Sequence, residues 1–308
     1  IDMSNSTRLM MMGAAGASED KTYVDDVFST DLWTGNDTAR NITSGLDMTG
    51  EGGMVWIKRR NGATNPMIWD TERGTYHLET DGTGGQSQFS NFFTGFTGTG
   101  YSIGTNGNIN GTSSDVVGWS FRKAPGFFDV VTYTGNQTAR TISHSLGSVP
   151  GMIIIKCTSD GSYWRVYHRS IGATKGLELN SDQYATNETY WNSTSPTSSV
   201  FSLSAETAIN KTGETYVAYI FAHDEQSFGT SGNESIIKCG SYTGSSSGVN
   251  INLGFEPQWV MVKRTDGSGS WYIMDAMRGF TASNDPVTLK ADSADAEGGL
   301  AKYRITST

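Results

Sequence analysis

The sequence predicts an all-β protein: tandem β-sandwich or jelly-roll-like repeats behind a short irregular N-terminal segment. Three observations carry that expectation. One unit recurs along the 308 residues, its apolar runs are too short for core helices, and the composition, with 38 Gly and 8 Trp, 13 Tyr and 13 Phe, favours turns and large rings over long helices. At about 100 to 200 residues per domain, the length allows two or three domains.

The recurrence opens with Trp33-Thr-Gly-Asn-Asp-Thr-Ala-Arg40, returns as Tyr133-Thr-Gly-Asn-Gln-Thr-Ala-Arg140, and again as Tyr242-Thr-Gly-Ser-Ser; the glycines Gly35, Gly135 and Gly244 lie 100 and 109 residues apart. Each copy continues into an apolar run ending in lysine: Met54-Val-Trp-Ile-Lys58, Met152-Ile-Ile-Ile-Lys156 and Trp259-Val-Met-Val-Lys263. Short runs rich in Val and Ile between turn residues read as buried strands. A third matching segment holds Asp70 with Arg73 and Asp275 with Arg278 before a glycine, while the second copy has His168 and Ile171 there. An Asp that caps a turn and pairs with an Arg explains this structurally, because an acid/base site would not lose both members in one copy.

The unit closes with an alternating strand, Asp115–Phe121 in the first copy and Thr215–Phe221 in the second. These spacings divide the chain into a segment 1–21 and repeats over 22–125, 126–226 and 227–308. The same spacing puts the third closing strand near residue ~330. The third repeat is therefore expected to be incomplete here, its last strand coming from continuing chain or a neighbouring subunit. Gly98-Thr-Gly-Tyr-Ser-Ile-Gly104 has the wrong spacing for a dinucleotide loop and reads as a hairpin.

Lys+Arg 22 against Asp+Glu 31 gives a net charge of −9, which argues against a nucleic-acid surface. No apolar run approaches the roughly 18 residues of a membrane helix, so no membrane insertion is expected. Cys157 and Cys239 match no metal or redox spacing and read as unpaired core residues. The stretch Arg8-Leu-Met-Met-Met-Gly-Ala-Ala-Gly-Ala17 has the features of a signal peptide but a short apolar part. It reads as a docking segment within 1–21, because apolar residues at a terminus need a surface to cover them.

Chemistry-bearing sets are thin. His77, His144, His168 and His223 stand in four different contexts, and no nucleophile elbow, zinc-protease helix or phosphate loop occurs. The acidic run Asp292-Ser-Ala-Asp-Ala-Glu297 reads as a solvated turn rather than a calcium loop. No enzymatic activity, cofactor or metal is expected. Aromatics are the better lead for binding, since sugar rings stack on exposed rings flanked by amides and hydroxyls. Trp164 and Trp271 hold matching places, and Trp191 with Tyr190 lies in the polar loop Asn187-Glu-Thr-Tyr-Trp-Asn-Ser193. These four are the candidate glycan contacts, with core packing the competing role for Trp164 and Trp271.

Several segments carry a family resemblance: Val24-Asp-Asp-Val-Phe-Ser-Thr30, Gly50-Glu-Gly-Gly-Met-Val-Trp-Ile-Lys58, Phe121-Arg-Lys-Ala-Pro-Gly-Phe-Phe-Asp-Val130, Ile142-Ser-His-Ser-Leu-Gly-Ser-Val-Pro-Gly-Met-Ile-Ile-Ile-Lys156 and Tyr216-Val-Ala-Tyr-Ile-Phe-Ala222. From about residue 22 onward the chain resembles the repeated domain of unknown function in virion-associated, tail-fibre-like proteins of marine tailed phages. The resemblance implies a virion structural protein, a tail fibre or host-attachment component at the particle surface. The alternatives are a capsid decoration protein and, further off, a glycan-degrading spike, which would need a carboxylate pair. The expected partners are other copies of the chain, a trimer favoured because weak sites gain avidity, other virion proteins through segment 1–21, and host surface glycan.

Overall fold

A computed structural model of the chain describes residues 22–282, 287–299 and 303–305. The proposed docking segment 1–21 lies outside them. Among the described residues, 20 strands form five antiparallel sheets with two one-turn helices. The first repeat contributes β1 (Phe28–Thr34), β2 (Arg40–Thr43), β3 (Gly53–Arg59), β4 (Met67–Asp70), β5 (His77–Glu79), β6 (Phe93–Thr97), β7 (Gly100–Ile103), α1 (Gly107–Asn110) and β8 (Asp115–Arg122). The second contributes β9 (Phe128–Thr134), β10 (Arg140–Ser143), β11 (Met152–Cys157), β12 (Arg165–His168), β13 (Lys175–Glu178), β14 (Thr186–Asn187), β15 (Val200–Leu203), α2 (Thr207–Asn210) and β16 (Thr215–Phe221). The third supplies β17 (Trp259–Val262), β18 (Tyr272–Asp275), β19 (Val287–Lys290) and β20 (Gly298–Gly299).

The large sheets run β1-β8-β3-β4-β5 and β9-β16-β11-β12-β13-β14 inverted, one order used twice. Phe28 opposes Phe121 and Phe128 opposes Phe221, so the closing strand inserts between the first and third strands of its repeat. A small sheet, β2-β7-β6 in the first repeat and β10-β15 in the second, covers one face. The β6–β7 pairing across Thr97 and Gly100 is the hairpin read from the glycine-rich run.

The Thr-Gly-Asn motif has a packing cause. A Cβ on Gly35 or Gly135 would lie 2.1 Å from the carbonyl oxygen of Gly111 or Lys211, just past each helix, so only glycine fits that crossing. The next residue but one, Asp37 or Gln137, takes a left-handed φ near 55° and turns the chain into the small sheet. The buried Asn110 and Asn210 amides then donate to Thr38 and Thr138 carbonyls at 2.8 and 2.9 Å.

Strand β3 is buried at every position from Gly53 to Lys58, which explains why these runs do not alternate. Its two faces enter two different cores. Val55 and Ile57 join Trp69, Tyr101 and Ile103 beneath the small sheet, while Met54 and Trp56 join a core shared by all three repeats. That shared core includes Trp119, Phe128, Ile154, Trp164, Tyr219, Phe221, Trp271 and Ile273. Each such large side chain stabilises by roughly 1.5–3 kcal/mol when fully buried. The sequence suggests an array of self-contained sandwiches; the structure folds the three back on one another around this common interior.

Buried polar groups fasten the repeats in a closed order. Second to first, Tyr219 donates to Asp70 Oδ2 at 2.7 Å and Trp164 Nε1 to the Glu79 carbonyl at 3.0 Å. First to third, Trp119 Nε1 donates to Asp275 Oδ2 at 2.9 Å and Lys58 Nζ to the Ser293 carbonyl at 3.2 Å. Third to second, Trp271 Nε1 donates to the Glu178 carbonyl at 2.8 Å, and Gly269 N to Asp182 O at 2.8 Å. The third sheet, β17-β18-β19-β20, has no strand beside β17 on its outer edge among the described residues.

Candidate functional site

The four aromatic residues read as glycan contacts are all buried: Trp164 0%, Trp191 1%, Trp271 4% and Tyr190 8% exposed. None offers a ring face to a sugar, and the reading is corrected on that ground. Trp164 and Trp271 fill the shared core. Trp191 is drawn inward despite its polar neighbours because its indole packs edge-on to Tyr167 at 5.5 Å and donates to the Lys175 carbonyl at 3.2 Å. Tyr190 lies 4.9 Å from the guanidinium of Arg165.

The Asp-Arg pairs are structural joints. Asp70 accepts from Arg73 N and Nε at 2.9 and 2.7 Å, and Asp275 accepts from Arg278 N and Nε at 2.9 and 2.6 Å, all fully or nearly fully buried. Each carboxylate also receives a ring donor from another repeat, Tyr219 or Trp119. Two of the lysines that end the apolar runs, Lys58 and Lys156, are joints too, while Lys263 donates to the Gly269 carbonyl within its own repeat. Lys156 Nζ donates to the Thr83 carbonyl of the first repeat at 3.1 Å and to its own neighbour Cys157 O at 3.0 Å. Burial pushes the Lys58 and Lys156 ammonium groups down to about 8.

Burial brings both His77 and His168 down to about 4, which keeps them neutral at pH 7. Asp292 accepts from Trp271 N at 3.2 Å, Asp295 pairs with Lys290 at 2.7 Å, and Glu297 pairs with Arg278 and, across to the first repeat, with Arg60, so each carboxylate of the run has a partner. No group of three or more His, Cys, Asp or Glu among the described residues is placed to hold a metal. Both cysteines are free and buried.

A groove of about 380 Å³ opens in the second repeat between the β11–β12 loop and α2. Cys157 and Tyr216 form its floor, Asp160, Ser162, Tyr163 and Arg165 one wall, Thr207 and Lys211 the other. Tyr163 is 46% exposed. Lys211 Nζ bridges the walls, 2.7 Å from Asp160 and 3.3 Å from Glu214. The Lys211 hydrogen bond and the Gly161 amide hold the Asp160 carboxyl below its ordinary range, and the two carboxylates raise Lys211 to about 12. The Arg165 guanidinium sits 5.2 Å from the Tyr163 ring and 4.9 Å from Tyr190, and is ion-paired with Glu178.

Sequence reasoning missed this groove, although aligning the repeats on their lysines displays it. After Lys58 and Lys263 come Arg59 and Arg264, and three positions further on Gly62 and Gly267; after Lys156 come Cys157 and Asp160. Arg59 Nε donates to Asn61 Oδ1 at 3.0 Å, and Arg264 Nε to Asp266 Oδ1 at 2.7 Å. A Cβ on Gly62 or Gly267 would come within 2.7 or 2.6 Å of the arginine side chain. The second repeat lacks the covering arginine and puts a carboxylate where the others need a glycine.

An all-β protein of internally repeated sandwich units fused about one interior is the class this fold and site define. The chain belongs to the family described as Domain of unknown function (DUF7483), whose model matches residues 24–307 and so runs through all three repeats. No curated protein and no solved structure matches it.

Proposed function

We propose that the chain is a structural component of a phage particle, placed at its surface on the tail and serving in host attachment. The observation that carries the reading is the closed set of buried inter-repeat joints around one core, a build suited to bearing load rather than to opening around a substrate. The motif resemblance from residue 22 onward points the same way. In this reading the chain acts as a homo-oligomer, a trimer for avidity, and meets other virion proteins through segment 1–21.

Gold-labelled antibody against residues 22–308, imaged on purified particles, tests the assignment. Label on tail structures in a few copies per particle is expected. Label over the head in hundreds of copies would make it a decoration protein, and unlabelled particles would end the virion reading. Solution mass of the full chain, with and without residues 1–20, tests the oligomer: a monomeric full chain would remove it.

A further inference from the structure

We propose that the groove of the second repeat binds a neutral saccharide of one or two rings; the inference rests on the attachment role above and gives it a location. Three features of the groove point to this chemistry.

The groove follows from a coupled exchange within the repeat. Arg59 and Arg264 lie over their own turns against Gly62 and Gly267, whereas Cys157 leaves that space open and Asp160 lines it. Compared with the first repeat, the second thus has a small side chain where an arginine lies and a carboxylate beside the space, while the third has no described counterpart of α2 or of the closing strand to form the opposite wall.

The two walls are also linked at the rim, by an ion pair between half-exposed side chains. The Asp160–Lys211–Glu214 bridge ties the loop to the helix end, and Arg165 packs against Tyr163 while held by Glu178. A ligand meeting these groups need order little, which lowers the cost of weak binding.

The lining then selects by kind. The cations lining it, Lys211 and Arg165, are each engaged by carboxylates, so an anion such as phosphate gains little there. An apolar ligand would strip water from Asp160, Ser162, Thr207 and Lys211 without replacing their hydrogen bonds. A sugar supplies both donors and acceptors to these groups and an apolar ring face to the half-exposed Tyr163. The volume of about 380 Å³ is at the small end of ligand sites, which run to about 300–1,000 Å³.

The test titrates the full chain with D-glucose, D-galactose, D-mannose and N-acetyl-D-glucosamine, each followed by ligand-observed NMR. At least one is expected to bind with a dissociation constant of about 1 mM. Tyr163→Ala should weaken that binding by about tenfold, a loss of about 1.4 kcal/mol, and Cys157→Arg should abolish it by restoring the covering arginine. Tyr184→Ala, at an exposed tyrosine elsewhere in the repeat, should leave it unchanged. Tyr163 is exposed enough that its substitution spares the fold, so the result stands even where Cys157→Arg fails to fold. Binding of none of the four sugars, sugar binding indifferent to Tyr163→Ala, or tighter binding of inorganic phosphate would each overturn the proposal. Labelled particles whose protein binds no sugar would sink the groove and leave the virion role; sugar binding by a protein absent from particles would do the reverse.

Discussion

Strands β3 and β17 occupy the same place in their repeats and end in different surroundings. Met54, Val55, Trp56 and Ile57 are all at most 1% exposed, whereas Trp259, Val260, Met261 and Val262 are all half-buried. Both strands pair on one side with the next strand, β4 or β18. The difference is β8, which flanks β3 along its other edge, and the small sheet that covers the β3 face. Burial of such a run is decided by its neighbours, not by its own composition.

The largest effect expected from that comparison is at its centre. Trp56→Ala should cost about 3–5 kcal/mol through lost transfer energy and the cavity left behind, while Met261→Ala, at the matching position in β17, should cost less than half as much. Urea unfolding of both variants measures the ratio, and equal losses would break the comparison. A related pair is Ile142 and Ile251, each seven residues after its motif glycine, Gly135 or Gly244, and 9% and 49% exposed. Ile142→Ala should cost about 2–4 kcal/mol, and Ile251→Ala should stay within about 0.5 kcal/mol. A smaller loss, about 1–2 kcal/mol, is expected for Tyr219→Phe, which removes a donor from a buried carboxylate that keeps Arg73 and an acceptor from Arg73 Nη2. A double-mutant cycle with Asp70→Asn would confirm that the loss belongs to this pair.

The mildest expectation concerns pH. Lys58 and Lys156 have folded pKa values of about 8, below the unfolded value of 10.5. Between those values the unfolded chain binds more protons, so the lysines make stability rise with pH across that window. The stability difference between wild type and Lys156→Met, measured from pH 8 to 10.5, should therefore move in favour of the wild type. Taking the difference isolates the lysine from Cys239 and the buried tyrosines, whose raised values act oppositely. A flat difference would mean that Lys156 stays charged in the fold.

Much of this was legible in the sequence. The spacing of Gly35 and Gly135 exposed a shared unit, whereas Gly244 lacks the close crossing those two glycines make and its segment carries no strand; the first two closing strands fell where their alternation put them. The lysine after each apolar run was visible, but the distant acceptor of Lys156 was not: Thr83 lies 73 residues away, and only the packing of one repeat on another brings them together. Trp191 misled for the opposite reason. Its neighbours are polar, so it read as a loop residue, yet Tyr167, 24 positions earlier in the chain, supplies the contact that buries it.

The order of the joints, second to first, first to third and third to second, has a consequence for how the molecule comes apart. A linear stack of repeats contacts only its neighbours and frays from its ends. Three repeats joined head to tail in a circle have no repeat that touches only one neighbour. Peeling any one away breaks two contacts and uncovers the interior of the other two, so hydrogen exchange of the shared-core amides is to be governed by one cooperative opening rather than by three.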